Sequence, residues 1–388
     1  MEIIAKTFQG LESALAEELE ALGATEVEPI KRGVRCFGDQ KTLYRLNYCS
    51  RLALRFLTPL TSFKANHPDE LYDKAKAFPW SDHIRLQQTF AIHATVFSDY
   101  FKHSGYTALR LKDAIADHFM EAFDQRPNVD LDRPDFPINL HIAHNRVTIL
   151  LDSSGSSLHL RGYKTKQVRA PLNEVLAAGL LRLAGWPQEK AFLDPMCGSG
   201  TIPIEALLMA RNIPAQKWRP DFAFKHWPDF KPGLWEEVKQ EAEDQIVDWD
   251  FPVLASDKNP IAIKISTSNA KRCGLHRDIH FFHKPFEKLH LIAPNGFMLM
   301  NPPYDARLED PEIERFYKMI GDCLKQSYSG YEAWIFSGNL QALKRVGLRP
   351  SRKIPMLNGK IESKLQQYLL YKGTKKKKGA PTPADPLK

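Results

Sequence analysis

Cysteine is scarce and scattered. Five occur in 388 residues, at Cys36, Cys49, Cys197, Cys273 and Cys323, and no two form a C-x-x-C pair. That spacing argues against a zinc site or a disulfide framework and for a reducing cytosol. Long apolar runs are lacking as well. No stretch approaches the roughly 20 apolar residues of a membrane helix, and no apolar N-terminal stretch flanked by basic residues marks a secretory signal. A cytoplasmic chain without membrane contact is expected. Charge of one sign is thin in most of the chain. Of the formal net +8, residues 372–388 supply six lysines against one aspartate, so bulk charge argues only weakly for nucleic acid. The length allows two or three domains with sizeable cores.

What is present is a set of strand ends. The apolar run Phe297-Met298-Leu299-Met300 reads as a buried strand and runs into Asn301-Pro302-Pro303-Tyr304. Two prolines stop strand and helix alike and remove two donors. The remaining loop is rich in acceptors and ends in an aromatic ring. Such a loop suits an exocyclic amine on a flat base: the Asn301 side-chain oxygen and the Pro302 carbonyl accept its two hydrogens, and Tyr304 stacks on the ring. The alternative is a Pro-rich turn after a core strand. Upstream, Ala-Phe-Leu-Asp194 reads as a strand, followed by the turn Pro-Met-Cys197-Gly198-Ser199-Gly200 and a helix starting near Ile202. Strand, glycine turn and helix form a ligand-binding geometry, or simply a tight connection. The spacing is not G-x-G-x-x-G and no Lys-Ser/Thr follows, so neither a dinucleotide nor a triphosphate is the first expectation. A third run, Phe251–Ser256, ends at Asp257, where ribose hydroxyls are held in doubly wound sheets. The plainer role for Asp257 is capping a helix that begins near Pro260.

Together, DPMCGSGT, ASDKNP and NPPY resemble the amino-group branch of the S-adenosylmethionine-dependent methyltransferases. The segments GLESALAEELEALGA, SRLALRFLTPL, GYTALRLKDAIADHF, RPNVDLDRPD, LHLRGYKTKQVRAPLNEVLAA and HWPDFKPGLWEEVKQEAED narrow this to the bacterial THUMP-domain 23S rRNA (guanine-N2)-methyltransferase family, up to about Lys372. The resemblance implies an α/β chain. A ferredoxin-like domain spans 1–60, a THUMP RNA-binding α+β domain 61–165, and a doubly wound Rossmann-like methyltransferase domain with a terminal antiparallel hairpin 171–372. A disordered basic tail, 373–388, follows. It implies S-adenosylmethionine held by Asp194, Cys197, Gly198, Ser199, Gly200, Asp257, Lys258 and Asn301, catalysis through Asn301, Pro302 and Tyr304, no metal, and 23S rRNA as partner with no stable protein partner. At the end of the third strand, Pro285 stands where the family often has an acidic residue facing adenine. Some relatives carry a second methyltransferase domain, so one activity is expected here. A piece starting near Val168 is expected to keep its fold and cofactor binding.

Other readings concern RNA. Arg161, Lys164, Lys166 and Arg169 cluster without an acid between the expected domains, either facing a nucleic acid strand or forming a solvated linker. In the helix TALRLKDAIADHFMEAF, Leu109, Ala114, Ile115 and Phe119 form the expected core face, with Arg110 and Lys112 outward. Trp218, Trp227, Trp235 and Trp249 fall in an insert, roughly 212–250, where packing is preferred over base stacking. Asn358-Gly359 signals a hairpin. Two rival functions stay open: a tRNA guanine-N2 or DNA adenine-N6 methyltransferase, and a non-catalytic RNA-binding assembly factor. No groove-reading domain for DNA is found.

Overall fold

The computed structural model describes residues 1–168, 171–289, 295–303 and 311–372. Tyr304, Arg169 and the basic tail therefore lie outside the described residues. Two seven-stranded sheets organise the chain.

The first sheet holds β1 (Glu2–Lys6), β2 (Thr25–Ile30), β3 (Gly33–Phe37), β4 (Arg55–Lys64), β5 (Phe90–Phe97), β6 (Phe136–Ala143) and β7 (Arg146–Asp152), in the order β2-β3-β1-β4-β7-β6-β5. Its helices are α1 (Glu12–Ala21), α2 (Gln40–Cys49), α3 (Pro68–Lys76) and α4 (Ser104–Phe123). Strand β4 pairs with β1 through Arg55–Leu57 and with β7 from Leu57 onward. One strand thus carries a single sheet through residue 60. The register slips between Pro59 and Thr61, where proline has no N–H to give the ladder. On α4 the buried stripe is Thr107, Leu111, Ala114, Ile115 and Phe119. Leu109 is 54% exposed. Its expected core role passes to Leu111, which sits one turn from Thr107 and Ala114.

The second sheet holds β8 (Ala191–Asp194), β9 (Val253–Asp257), β10 (Ile279–His283), β11 (Gly296–Met300), β12 (Glu332–Ser337), β13 (Arg352–Asn358) and β14 (Ile361–Leu369), in the order β10-β9-β8-β11-β12-β14-β13. The first five positions are parallel, and the β14-β13 hairpin closes the edge antiparallel. Helices α5 (Glu174–Ala184), α6 (Thr201–Ala210), α7 (Pro232–Glu243), α8 (Pro260–Arg272), α9 (Pro311–Ser327) and α10 (Ala342–Arg345) accompany it. All of β8 and β11 is buried, as for strands covered on both faces. Strand order reverses between β8 and β11, so a crevice opens at their C-terminal ends. Among the described residues no helix is long and apolar enough to cross a membrane.

The tryptophan insert joins the two halves. Trp235 on α7 is buried and meets Tyr44 and Tyr48 of α2 edge-on, at 6.0 and 5.3 Å between ring centroids. Phe224 stacks on Tyr44 at 4.5 Å. Trp249 meets Trp186 edge-on at 5.7 Å, and Trp218 and Trp227 pack partly buried against the cores. Arg51 crosses from the first sheet's side to donate to the carbonyls of Leu208 in the last turn of α6 and Ile213 just after it.

Candidate active site

The crevice is built from three strand ends. Asp194 closes β8 and is 1% exposed. One oxygen accepts the Met196 N–H at 3.1 Å, while Oδ2 is buried without a hydrogen-bond partner among the described residues. Burial pushes this carboxyl up to about 8, with the charge of Asp257 adding to the effect.

The glycine turn is pinned from β9. The Cys197 N–H donates to the Ser256 carbonyl and the Gly198 N–H to Asp257 Oδ2, both at 2.9 Å. Asp257 Oδ1 accepts from the Asn259 N–H. The cap of α8 is Asn259, which accepts from Ile261 N–H, so the carboxylate of Asp257 is turned to the glycine loop instead. The two glycines answer different demands. Gly200 has φ +80, and a Cβ there would lie 2.8 Å from Ser266 Cβ, so α8 itself excludes a side chain. Gly198 has φ +53, and among the described residues the nearest atom to its Cβ position is Val168 Cγ2 at 3.5 Å. Its side of the turn is open to a ligand. Burial raises the Cys197 thiol well above its ordinary value, so its contribution is backbone rather than nucleophilic.

Asn301 follows β11, the neighbour of β8. Its Oδ1 is buried with no hydrogen-bond partner among the described residues, and Pro302 is buried beside it. Lys258 lies at the rim, its ammonium 5.7 Å from the Phe316 ring centroid on α9. Pro285 follows β10, whose end is locked by Ser256 Oγ donating to the Phe282 and Lys284 carbonyls. No carboxylate is offered from Pro285. Among the described residues no His, Cys, Asp and Glu cluster could hold a metal ion.

The cationic cluster divides. Arg161 is 1% exposed; it donates to the Leu158 and Arg51 carbonyls at 2.9 and 2.6 Å and lies 3.5 Å from buried Glu205. Lys164 is bound to the Leu172 carbonyl at 2.9 Å and to Glu174 at 3.1 Å, with its side chain 9% exposed. Both are engaged by protein partners and fasten residues 161–168 as a strap across the two halves, and both also border the groove between them. Lys166 is exposed. Lys112 is part-exposed and paired with Asp113 at 3.0 Å. The strap borders an open groove of about 1260 Å³ between the halves, with Arg55, His93, Arg133, Asn139, Lys166 and Gln167 on its walls. Sequence reasoning missed two residues behind the turn, Ser266 and Asn269. They sit in an ordinary polar helical stretch, ISTSNAKR, and carry no local signal.

Comparison with known proteins places the chain in a family. Residues 161–367 match the family model of the RMKL-like methyltransferase domain, 65–152 the THUMP domain, and 2–57 the RlmL ferredoxin-like domain. The chain is 41% identical to a Synechocystis sp. protein provisionally named an RNA methyltransferase, over 94% of this chain and 95% of that one. It is 38% identical to the ribosomal RNA large subunit methyltransferase K/L of Syntrophotalea carbinolica, over 93% of this chain but 52% of that protein. It therefore spans about half the length of that relative. Among solved structures, one provisionally assigned as a methyltransferase and complexed with SAH is similar, with a TM-score of 0.86 and 25% identity over 96% of this chain and 99% of that one. A Listeria monocytogenes protein provisionally described as an N6-adenine-specific DNA methylase superposes with a TM-score of 0.85 at 28% identity, covering 95% of this chain and 96% of that one.

Proposed function

This chain belongs to the RMKL-like methyltransferase family, and on that premise we propose that it is a cytoplasmic, S-adenosylmethionine-dependent enzyme that methylates the exocyclic N2 amine of a guanosine in 23S rRNA. One observation carries the reading. Two buried oxygens, Asp194 Oδ2 and Asn301 Oδ1, lack hydrogen-bond partners among the described residues at the ends of adjacent strands, where the sheet order reverses. Buried acceptors without donors are costly, and a ligand bringing N–H groups to both would satisfy them.

The residues fit the cofactor. Asp194 offers an acceptor to its ammonium, Asp257 to its ribose hydroxyls, and the open side of Gly198 admits close approach. Lys258, Cys197 and Ser199 frame the turn. When bound, S-adenosylmethionine supplies an electrophilic methyl group. The chain's own task is to prepare the acceptor. An aromatic amine is a poor nucleophile because its lone pair is delocalised into the ring. Asn301 Oδ1 and the Pro302 carbonyl, each accepting one amine hydrogen, favour a pyramidal nitrogen with a directed lone pair. In-line positioning and preorganised dipoles supply most of the rate. Proton loss follows transfer, so no strong base is needed. The base leaves its stack to enter the site, and Tyr304 replaces the lost stacking.

The proposed RNA contacts are Lys166, Arg169 and Lys112 together with residues 61–165. The chain spans about half the length of the K/L relative, and the proposal concerns the transfer at this site alone. The Listeria neighbour keeps DNA adenine-N6 open as a second reading, since an adenine amine meets the same acceptors. Nucleoside mass analysis of 23S rRNA, from a deletion strain and after incubation with the purified protein, separates them. N2-methylguanosine lost in the strain and restored in vitro supports the proposal. Methyladenosine as the only product, or no methylated nucleoside, overturns it.

A further inference from the structure

Asn269 stands on α8 one turn beyond Ser266 and is wholly buried. Its Nδ2 donates to the Ser199 carbonyl at 3.0 Å and to the Lys166 carbonyl at 3.1 Å. Two carbonyl partners fix which end of the amide faces them. Ser199 adds a second tie, its hydroxyl oxygen accepting the Val168 N–H at 2.9 Å. Both fastenings join the same two pieces of backbone, the strap and the glycine turn. A buried amide is costly unless its hydrogen bonds are made; the two from Nδ2 are made across elements rather than within the helix, while Oδ1 is buried with no partner among the described residues.

The strap has two sides. Its backbone at Lys166 and Val168 is held to the turn, and Val168 is the residue nearest the open side of Gly198. Its exposed residues Thr165, Lys166 and Gln167 line the groove between the halves, where Arg133 adds an exposed cation. A strand seated in the groove therefore touches a segment whose other side bounds the cofactor turn.

We propose that Asn269 is a positioning residue that couples RNA in the groove to cofactor in the glycine turn. The inference rests on the function proposed above. RNA contacts that hold the strap down also hold the turn in its binding shape. Ordering done by one ligand need not be done again for the other, so each tightens the other by the same factor.

The test is calorimetric titration of S-adenosylhomocysteine into the full chain, alone and with protein-free 23S rRNA. RNA should tighten cofactor binding by about five-fold or more, the lower end of ordinary coupling. In Asn269→Leu both ligands should still bind, with the ratio fallen to about one. A role in packing alone would weaken cofactor binding equally with and without RNA, leaving the ratio unchanged, and that result overturns the proposal. If Asn269→Leu does not fold, Ser199→Ala removes the second tie and is read by the same ratio. RNA binding to the wild type with a ratio of about one overturns the coupling alone. Absence of RNA binding overturns the proposed function with it.

Discussion

The Asn301 side chain is held at the end of a fully buried strand, with its oxygen paired to no donor among the described residues. Removing it leaves the cofactor's end of the crevice intact. Asn301→Ala should lower single-turnover methylation by about 10²–10³, the scale of one preorganised polar contact, with S-adenosylhomocysteine affinity nearly unchanged by calorimetry. Near-wild-type turnover would remove Asn301 from the chemistry. Asp194 makes a prediction in pH. Its carboxyl titrates near 3.8 when unfolded and about 8 when folded. Between those values the folded state holds a proton that the unfolded state has lost, so stability falls as pH rises from about 4 to about 8. Asp194→Asn should remove that slope from urea midpoints measured across the window. Bound S-adenosylhomocysteine, which brings an ammonium to the carboxylate, should flatten it in the wild type. At the turn, Gly198→Val meets no atom of the described residues closer than ordinary contact at its Cβ, but at φ +53 a β-branched residue strains the turn as well as filling the ligand's side. Cofactor binding should be lost with far-ultraviolet circular dichroism unchanged. Unaltered affinity would take the turn out of the site.

At the level of elements, α7 is an insert whose work is to clamp. Its polar side adds the pairs of Lys41 with Glu237 and Glu241, and of Arg45 with Glu241. These are substantially exposed and each contributes little. Trp235 carries the apolar side, buried among Tyr44, Tyr48, Phe222 and Phe224. Trp235→Ala should cost about 3–5 kcal/mol, read from denaturant unfolding. A loss below about 1 kcal/mol would show that the clamp is not held there. The elements themselves were legible because their signals are local. Apolar runs of four or five residues bounded by Asp, Gly and Pro identify β8, β9 and β11 in the sequence, and Asn259-Pro260 marks the start of α8. The hairpin signal at Asn358-Gly359 also held, with Gly359 at φ +64 in the two-residue turn between β13 and β14.

At the scale of the whole molecule the halves are interdependent. Leu11 fills the space above Gly179 on α5, where a Cβ would lie 2.5 Å from its Cδ1. Phe222, Phe224, Trp235 and Val238 share a core with residues of β1, β3, α1 and α2. The expectation that a piece starting near Val168 stands alone therefore changes. Such a truncation exposes that shared core and removes the Arg51 hydrogen bonds to the end of α6. It should melt well below the full chain and bind a hydrophobic dye. An unchanged melting temperature would show that the interface contributes little.

The strand ends, the glycine turn and the Asn-Pro-Pro loop were determined by sequence alone, because backbone chemistry and hydrophobic period act over a few residues. The direction of a charge on an irregular strap has no such period. Arg161 and Lys164 read as a basic patch, but the assembled chain engages both with protein partners, Arg161 with positions as distant as Arg51 and Glu205 and Lys164 with Leu172 and Glu174. The same holds for β4, whose ladder runs past residue 60 because β1 and β7 lie on its two sides. It holds for Asn269 too, an unremarked helical asparagine until packing brings two carbonyls to its amide.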